Sequence, residues 1–340
     1  MNPGQPHTVV PAPSVPHPIN PGAPLAWVVR GDLTESVHTG HLSTLHADGS
    51  TGLSVGAPAQ TMFPRSSVKP VQALVALRTG VVLEPEQIAL ACASHSGEAA
   101  HLEVVRAILA RAGLSEADLG NTPDPPLSAQ AARAWRDAGH EPSSLTQNCS
   151  GKHAVMLATC VHNGWPTDTY LDPAHPLQQA VVATIAELTG VAVGHLAVDG
   201  CGAPLPSTTT EGLARAFATL ATAQPESPEG RVAAAMRAHP YLVGGQGRDV
   251  TEAMRQVPGL IAKDGAEGVY AAALPDGRAL AFKIADGGSR PRPAVLAAAL
   301  GVLGEEAPPE GWPWARVPVL GHGRPVGQVV PAVGSATGGN

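Results

Sequence analysis

Strand-like segments occur at both ends of this chain, and the long middle is almost entirely helical in pattern. The N-terminal part contains LAWVVRG, GHLSTLHADG and TGLSVG, and its Asp48-Gly49 pair predicts a β-hairpin. After Pro258 come GLIAKDG, GVYAAALPDG and RALAFKIADG, which again indicate strands joined by Asp-Gly turns. The segments between them are amphipathic, and several end at glycine. This order predicts an α/β (α+β) protein in which both chain ends build one sheet and a helical lobe is inserted.

The same patterns divide the chain into four parts. Residues 25–66 and 255–332 are predicted to form the lobe that contains the sheet, and residues 67–254 the mainly helical lobe. Residues 1–24 are rich in proline and nearly uncharged, which is typical of a flexible, extended tail. Residues 333–340 are predicted to be a second flexible tail. We expect the active site in the cleft between the two lobes.

Composition excludes several classes of function. The net charge of −7 and the pI near 6.0 leave no broad basic surface for nucleic acid or for anionic membranes. No apolar stretch reaches the roughly 20 residues that a membrane-spanning helix needs. The N-terminus does not resemble a secretory signal, and the four cysteines include no Cys-x-x-Cys pair. The sequence therefore predicts a cytoplasmic protein without disulfides.

The segment RSSVKPVQALVAL indicates a helix that begins near Ser66, because Pro70 is tolerated only in a first helical turn. Ser66 and Lys69 then lie three residues apart on one face. A lysine can activate a serine when the amine is neutral, which burial or a nearby cation favours. The alternative is a serine that caps the helix beside a solvated lysine.

Other motifs offer further reactive side chains. Ser94 lies where an apolar segment meets a polar turn, and Ser96 has the position of a helix N-cap. Cys149 and Lys152 repeat the spacing of three at a second helix start. Cys201 follows in a Gly-rich turn, so two thiolates and a third donor could bind zinc, although unlinked cysteines are more often small core residues.

A lysine and an aspartate complete the candidates that the motifs offer. Lys263 ends a strand before a turn, where its charge would favour a neutral form of Lys69; the alternative is a surface lysine of the turn. Asp199 lies beside Cys201 in the same Gly-rich turn.

Six segments in this order, RGDLTESVH, RSSVKP, CASHSGE, NCSGKH, DGCGAPLP and AKDGAEG, resemble the class 3, rhizobial-type asparaginases. The resemblance runs from about Trp27 to Ala332. It implies a fold like that of serine β-lactamases, penicillin-binding proteins and glutaminases, and it implies hydrolysis of L-asparagine to aspartate and ammonia. It also favours a homodimer.

The resemblance also implies roles for particular residues. Two Ser-Lys pairs are expected, Ser66 with Lys69 and Ser94 with Lys263. Zinc is expected on a site composed of Cys149, Lys152, Cys201 and water. The positions that the family places around substrate and metal are Arg65, His153 and Asp199.

On this basis we expect Ser66 to be the nucleophile, Lys69 its base, and the second pair a proton relay. Arg65 and Asp199 are expected to bind the α-carboxylate and the α-ammonium of the substrate.

Three other functions remain open at this stage. A glutaminase would act on a substrate one methylene longer, a difference worth only about 1–3 kcal/mol in a hydrophobic pocket. A β-lactamase-like enzyme would have a Lys-Thr-Gly or Lys-Ser-Gly triplet, whereas this chain has Lys263-Asp264-Gly265. A binding or metal-sensing protein without catalysis would depend on the cysteines and not on Ser66.

Overall fold

The first and last strands of the chain lie side by side in the computed structural model, which describes residues 20–334. Trp27 pairs with Val330 near the C-terminus on one side and with Val37 of the following strand on the other. Within the described residues, eight strands form one antiparallel sheet in the order β6-β7-β8-β2-β1-β10-β9, and β3 pairs with β2. The sheet strands are Ala23–Arg30 (β1), Leu33–Leu45 (β2), Thr51–Val55 (β3), Ile261–Asp264 (β6), Val269–Ala273 (β7), Ala279–Ile284 (β8), Pro318–Gly321 (β9) and Arg324–Pro331 (β10).

The helical lobe lies between β3 and β6 in the chain. It also contains a two-stranded ribbon, Leu196–Val198 (β4) and Pro204–Pro206 (β5), which the sequence did not predict. Its helices are Lys69–Arg78 (α1), Pro85–Ala91 (α2), Ala99–Arg111 (α3), Ala129–Asp137 (α4), Ser150–Asn163 (α5), Pro176–Thr189 (α6), Thr210–Thr222 (α7), Pro228–Ala238 (α8), Pro240–Val243 (α9) and Asp249–Gln256 (α10). A last helix, Arg292–Val302 (α11), follows the sheet strand β8.

The predicted architecture, one sheet built from both chain ends with a helical lobe inserted, is confirmed by this strand order. The predicted hairpin at Asp48-Gly49 is confirmed as well, because β2 and β3 pair across it. The first strand begins at Ala23, inside the predicted Pro-rich tail, and residues 1–19 of that tail lie outside the described residues. Most of the second predicted tail, residues 335–340, also lies outside them.

Three neighbouring strands of the sheet are completely buried. Every residue of β6, β7 and β8 is buried, as expected for strands covered on both faces. Helix α7 packs on β2, β7 and β8, and α11 packs on β1, β8 and β10. None of the helices in residues 20–334 combines the length and the apolar character that crossing a membrane requires.

The edge strand β6 is the part of the sheet that meets the helical lobe. It contacts α8, α10 and a 3-10 turn, Arg65–Val68, that leads into α1. Gly265, directly after β6, approaches this turn so closely that a Cβ atom would lie 2.9 Å from the Pro64 carbonyl oxygen. The junction of β6 with the turn brings the predicted site residues of both lobes together.

Candidate functional site

The 3-10 turn at Arg65–Val68 sets the relative position of Ser66 and Lys69. The backbone N–H of Lys69 donates to the Ser66 carbonyl oxygen, the bond expected between residues three apart in a 3-10 turn. Side chains at this spacing lie one above the other. Ser66 is half-buried and open to the surface, whereas Lys69 is buried.

The amine of Lys69 is held by the second predicted serine. Its Nζ donates to the Ala93 carbonyl oxygen at 2.5 Å and to Ser94 Oγ at 3.1 Å. The resemblance pairs Lys69 with Ser66 and Ser94 with Lys263, so the hydrogen bonds of the structure differ from that pairing. The Lys69 amine lies instead at the end of α2, where Ala93 and Ser94 follow the last helical turn.

Lys263 lies at the end of β6 and is completely buried. Its Nζ donates to the carbonyl oxygen and to Oδ1 of Asp264, both at 2.6 Å, and not to Ser94. Burial lowers the pKa of Lys263, and the positive charges of Lys69 and Arg248 lower it further. Asp264 raises it, and the net result is a pKa of about 8. This amine therefore becomes neutral only slightly above neutral pH.

Arg65 forms an ion pair with Asp199 directly beside Ser66. Arg65 Nε donates to Asp199 Oδ1 at 2.7 Å, and a second carboxylate, Glu267, lies 3.7 Å from the same guanidinium. Arg65 and Glu267 both have positive φ angles, 51° and 58°, which a non-glycine residue rarely adopts. Burial acts to raise the pKa of Asp199, but Arg65 and the Gly200 N–H outweigh it and hold this pKa below its ordinary value.

The predicted metal ligands also converge. Cys149 precedes α5 as its N-cap residue, Lys152 lies in the first turn of that helix, and Cys201 follows β4. Lys152 Nζ donates to Cys201 Sγ at 3.2 Å, and the two cysteines pack in one cluster with Ala203. All three side chains are buried.

The electrostatics of this cluster favour a thiolate. The pKa of Cys149 lies well below its ordinary value because the Cys201 thiol hydrogen bonds to it, and Lys69 and Lys152 act in the same direction. Burial acts to lower the pKa of Lys152, but the two sulfur atoms outweigh it and raise that pKa. Within residues 20–334 no three His, Cys, Asp or Glu side chains form a metal site, so a metal ion at this cluster would require the Lys152 amine as a third donor.

His153 lies behind this cluster. Its ring is fully buried, and its Nδ1 shares a hydrogen bond of 2.7 Å with the Tyr170 hydroxyl. Burial keeps the pKa of His153 well below its ordinary value, and Lys152 and Lys69 act in the same direction. A neutral, enclosed ring is not exposed to a substrate from solvent.

Ser96 does not cap a helix, and this expectation was wrong. Helix α3 begins at Ala99, and Glu98 is its N-cap, with His101 completing a capping box. Ser96 Oγ instead donates to the Gly244 carbonyl oxygen at 2.9 Å. This bond ties the segment of Ser94 to the loop before α10.

Sequence reasoning missed two residues at the site, Arg248 and Asp264, and it left open whether Lys283 is a site residue or a surface lysine of a turn. Lys283 is buried on β8, and its Nζ donates to the carbonyl oxygens of Glu267 and Ile284. The residue counts contained a signal for buried lysines, because the chain has seventeen arginines but only four lysines. All four lysine side chains are buried, although lysine is ordinarily a surface residue.

The family comparison agrees with the extent of the fold. A family model described as L-asparaginase II matches residues 26–331 of the chain. The match begins in β1 and ends with the last residue of β10, so it covers the sheet and the inserted helical lobe. No curated protein sequence matches the chain significantly.

Solved structures with similar coordinates are more distant. Mglu in its tris and glutamate form has a TM-score of 0.44 and 16% identity; the match covers 83% of this chain but only 62% of Mglu. The Bacillus subtilis glutaminase YbgJ, in covalent complex with 5-oxo-L-norleucine, has a TM-score of 0.35 and 13% identity, with coverage of 72% and 80%. A β-lactamase from Desulfarculus baarsii DSM 2075 has a TM-score of 0.35 and 17% identity, with coverage of 78% and 90%. The family assignment therefore rests on the L-asparaginase II match alone.

Proposed function

We propose that this chain, which belongs to the L-asparaginase II family and is an amidohydrolase, hydrolyses the side-chain amide of L-asparagine to L-aspartate and ammonia. The observation that carries the proposal is the ion pair of Arg65 with Asp199 beside Ser66. An amino acid presents one carboxylate and one ammonium on its α-carbon. The guanidinium and the carboxylate of the pair have the complementary charges, so a bound amino acid can exchange partners with them.

Ser66 is the nucleophile in this proposal. It is the more exposed of the two serines, whereas Ser94 is buried and bonded to Lys69. Ser66 Oγ attacks the amide carbonyl carbon and gives its proton to Lys69. The C–N bond then breaks, the amide nitrogen leaves as ammonia with a proton from the lysine, and an ester on Ser66 remains. Water hydrolyses the ester to aspartate and restores Ser66.

Lys69 acts as the centre of the proton transfers. Its Nζ lies 3.1 Å from Ser94 Oγ, and Lys69 follows Ser66 by three residues in the 3-10 turn, so in this proposal one amine serves both serines. Ser94 and Lys263 would extend the relay, with Lys263 able to hold or release a proton near pH 8.

Zinc is part of the proposal. Two sulfur atoms and one amine fit its preference for soft and nitrogen donors, so Cys149, Lys152 and Cys201 would hold the ion. When bound, zinc supplies a Lewis acid that orients the substrate. We also propose that the enzyme acts in the cytoplasm. We further propose that it is a homodimer, and light scattering of the purified protein tests this oligomeric state.

Ammonia release from L-asparagine and from L-glutamine tests the proposed activity. We expect wild type to release ammonia from asparagine, and Ser66→Ala to lose at least about 10³-fold in kcat, because the nucleophile is removed. Ser54→Ala, an exposed serine on β3, is the matched control and should equal wild type. Faster turnover of glutamine would make the enzyme a glutaminase, and no turnover of either amide by wild type would refute the proposal.

A further inference from the structure

Arg248 joins two segments of the site with a single guanidinium group. It is the N-cap residue of α10 and its side chain is mostly buried. One terminal nitrogen, Nη1, donates to the Ser94 carbonyl oxygen at 2.7 Å, and the other, Nη2, donates to Asp264 Oδ2 at 2.5 Å. A planar guanidinium fixes the directions of both bonds at once.

Asp264 completes the link to Lys263. Its Oδ1 accepts from Lys263 Nζ at 2.6 Å while its Oδ2 accepts from Arg248. The other end of the link is the peptide of Ser94, whose hydroxyl accepts from Lys69. A continuous series of bonds therefore connects Lys69 with Lys263 through Ser94, Arg248 and Asp264.

The loop that leads to Arg248 is itself bonded to the segment of Ser94. The Ser94 N–H donates to the Val243 carbonyl oxygen at 3.1 Å, and Ser96 Oγ bonds the next carbonyl oxygen, that of Gly244. Gly245 has a φ of 125°, and a Cβ there would lie 2.2 Å from Ser96 Oγ. The backbone is thus held on both sides of the contact that Arg248 makes.

We propose that Arg248 is a positioning residue, whose two guanidinium bonds hold Ser94 and the Lys263–Asp264 pair in fixed relative positions for proton transfer. The inference rests on the proposed function, because Arg248 would position residues that take part in the proposed acyl-serine chemistry. It goes beyond it in assigning a role to Arg248, which acts through its bonds to Ser94 and Asp264.

The charge of Arg248 has a second effect at the same place. The charged and titratable groups around Lys263 and its partner are Lys69, Cys92, Arg248, Asp249, Asp264, Tyr270 and Arg292. Among them, Asp264 favours the ammonium form of Lys263, whereas Lys69 and Arg248 oppose it. Loss of the Arg248 charge should therefore raise the pKa of Lys263. The acidic limb of the pH–rate profile should then move to higher pH.

Two substitutions separate the positioning role from the charge. Arg248→Gln removes both, and we expect kcat for asparagine to fall at least about tenfold and the acidic limb of the pH–rate profile to move to higher pH. Arg248→Lys retains the charge, so the limb should stay near that of wild type. One ammonium on a shorter side chain cannot hold both oxygen atoms, so kcat should still fall about tenfold.

Arg237→Lys is the matched control. Arg237 is a partly buried arginine that donates only to the backbone carbonyl oxygens of Gly259 and Ala221, and we expect wild-type kinetics from this variant. Full activity of Arg248→Lys would overturn the positioning role. An unchanged kcat and acidic limb in Arg248→Gln would overturn the whole proposal. If the glutamine variant does not fold, the lysine variant decides, because it keeps a cation beside Asp264.

A substrate-independent measurement keeps this inference separate from the choice of substrate. With only four lysines, protein labelled with ¹³C at the lysine Cε gives four signals, and the titration of Lys263 can be followed directly. Failure of wild type to release ammonia from asparagine would refute the proposed function alone. Arg248 would then be judged by that titration and by the rate at which p-nitrophenyl acetate acylates the protein. Identical values in wild type and Arg248→Gln would refute its role.

Discussion

Replacing Lys263 with methionine should stabilise the protein at pH 7 while removing its activity. The Lys263 side chain is completely buried, and burial lowers its pKa from 10.5 to about 8. That difference corresponds to about 3 kcal/mol, at about 1.4 kcal/mol for each pKa unit. Methionine has a similar length and no charge, so it avoids the free energy of burying an ammonium. It leaves Asp264 with one hydrogen-bond donor fewer, which costs about 1–2 kcal/mol and offsets part of that gain. We expect a net gain of about 1–2 kcal/mol.

The gain should depend on pH in a defined way. Below pH 8 the lysine is protonated in both the folded and the unfolded state, so the full free energy of burying an ammonium opposes folding. Between pH 8 and 10.5 the folded protein loses this proton while the unfolded chain retains it, and stability rises with pH. Above 10.5 the amine is neutral in both states. The advantage of Lys263→Met should therefore vanish as the pH rises through this window.

Urea unfolding followed by circular dichroism, at pH 7 and at pH 10, measures this difference. Lys263→Arg is the control, because a permanent cation at the same position should lower stability at both pH values. A methionine variant less stable than wild type at pH 7 would refute the reasoning, and so would a difference in stability that does not change with pH.

Further outcomes follow from the site. Cys201→Ser should lower the zinc content, measured by mass spectrometry, at least about tenfold. Cys160→Ser, outside the cluster, is the control and should not lower it. The zinc content of wild type should fall on acidification, because the ligands must lose protons to bind the metal. Gly265→Ala should lower kcat roughly tenfold, because the new Cβ would lie 2.9 Å from the Pro64 carbonyl oxygen and displace the turn that contains Ser66, the proposed nucleophile. An unchanged kcat would contradict this. Asp199→Asn should raise KM for asparagine about tenfold with a smaller effect on kcat, through the loss of a charge-assisted hydrogen bond; an unaltered KM would contradict its role.

The sequence predicted the sheet and its helical insertion because the signals for them are local. The Asp48-Gly49 turn and the apolar runs of β7 and β8 each depend on a few consecutive residues. The short ribbon β4–β5 was missed because its strands have three residues each, and Leu196 and Val198 on β4 are exposed. β9 was missed for a similar reason, since a strand of four residues that begins with proline has little periodicity.

The hydrogen bonds within the site could not be predicted in the same way. Lys69 bonds a serine 25 residues away, and Arg248 bonds a carbonyl group 154 residues away. Such partners depend on the final packing of the lobes and not on spacing. The proposed N-cap at Ser96 was wrong because Gly244 accepts the bond from its hydroxyl, a competition that the local sequence does not show.

The use of lysine and arginine in this chain follows from what the two side chains can do with a proton. Arginine stays protonated at any pH a protein meets, so the guanidinium of Arg248 can serve as a permanent positive charge and a fixed donor. Lysine can become neutral when buried, which is necessary both for a catalytic base and for a nitrogen that binds a metal. Burying an amine opposes folding by several kcal/mol when it remains charged. In the proposed chemistry, three of the four buried lysines, Lys69, Lys152 and Lys263, occupy positions where a removable proton is needed. On this argument the pKa of Lys283, the one lysine outside the proposed chemistry, is the next to be measured.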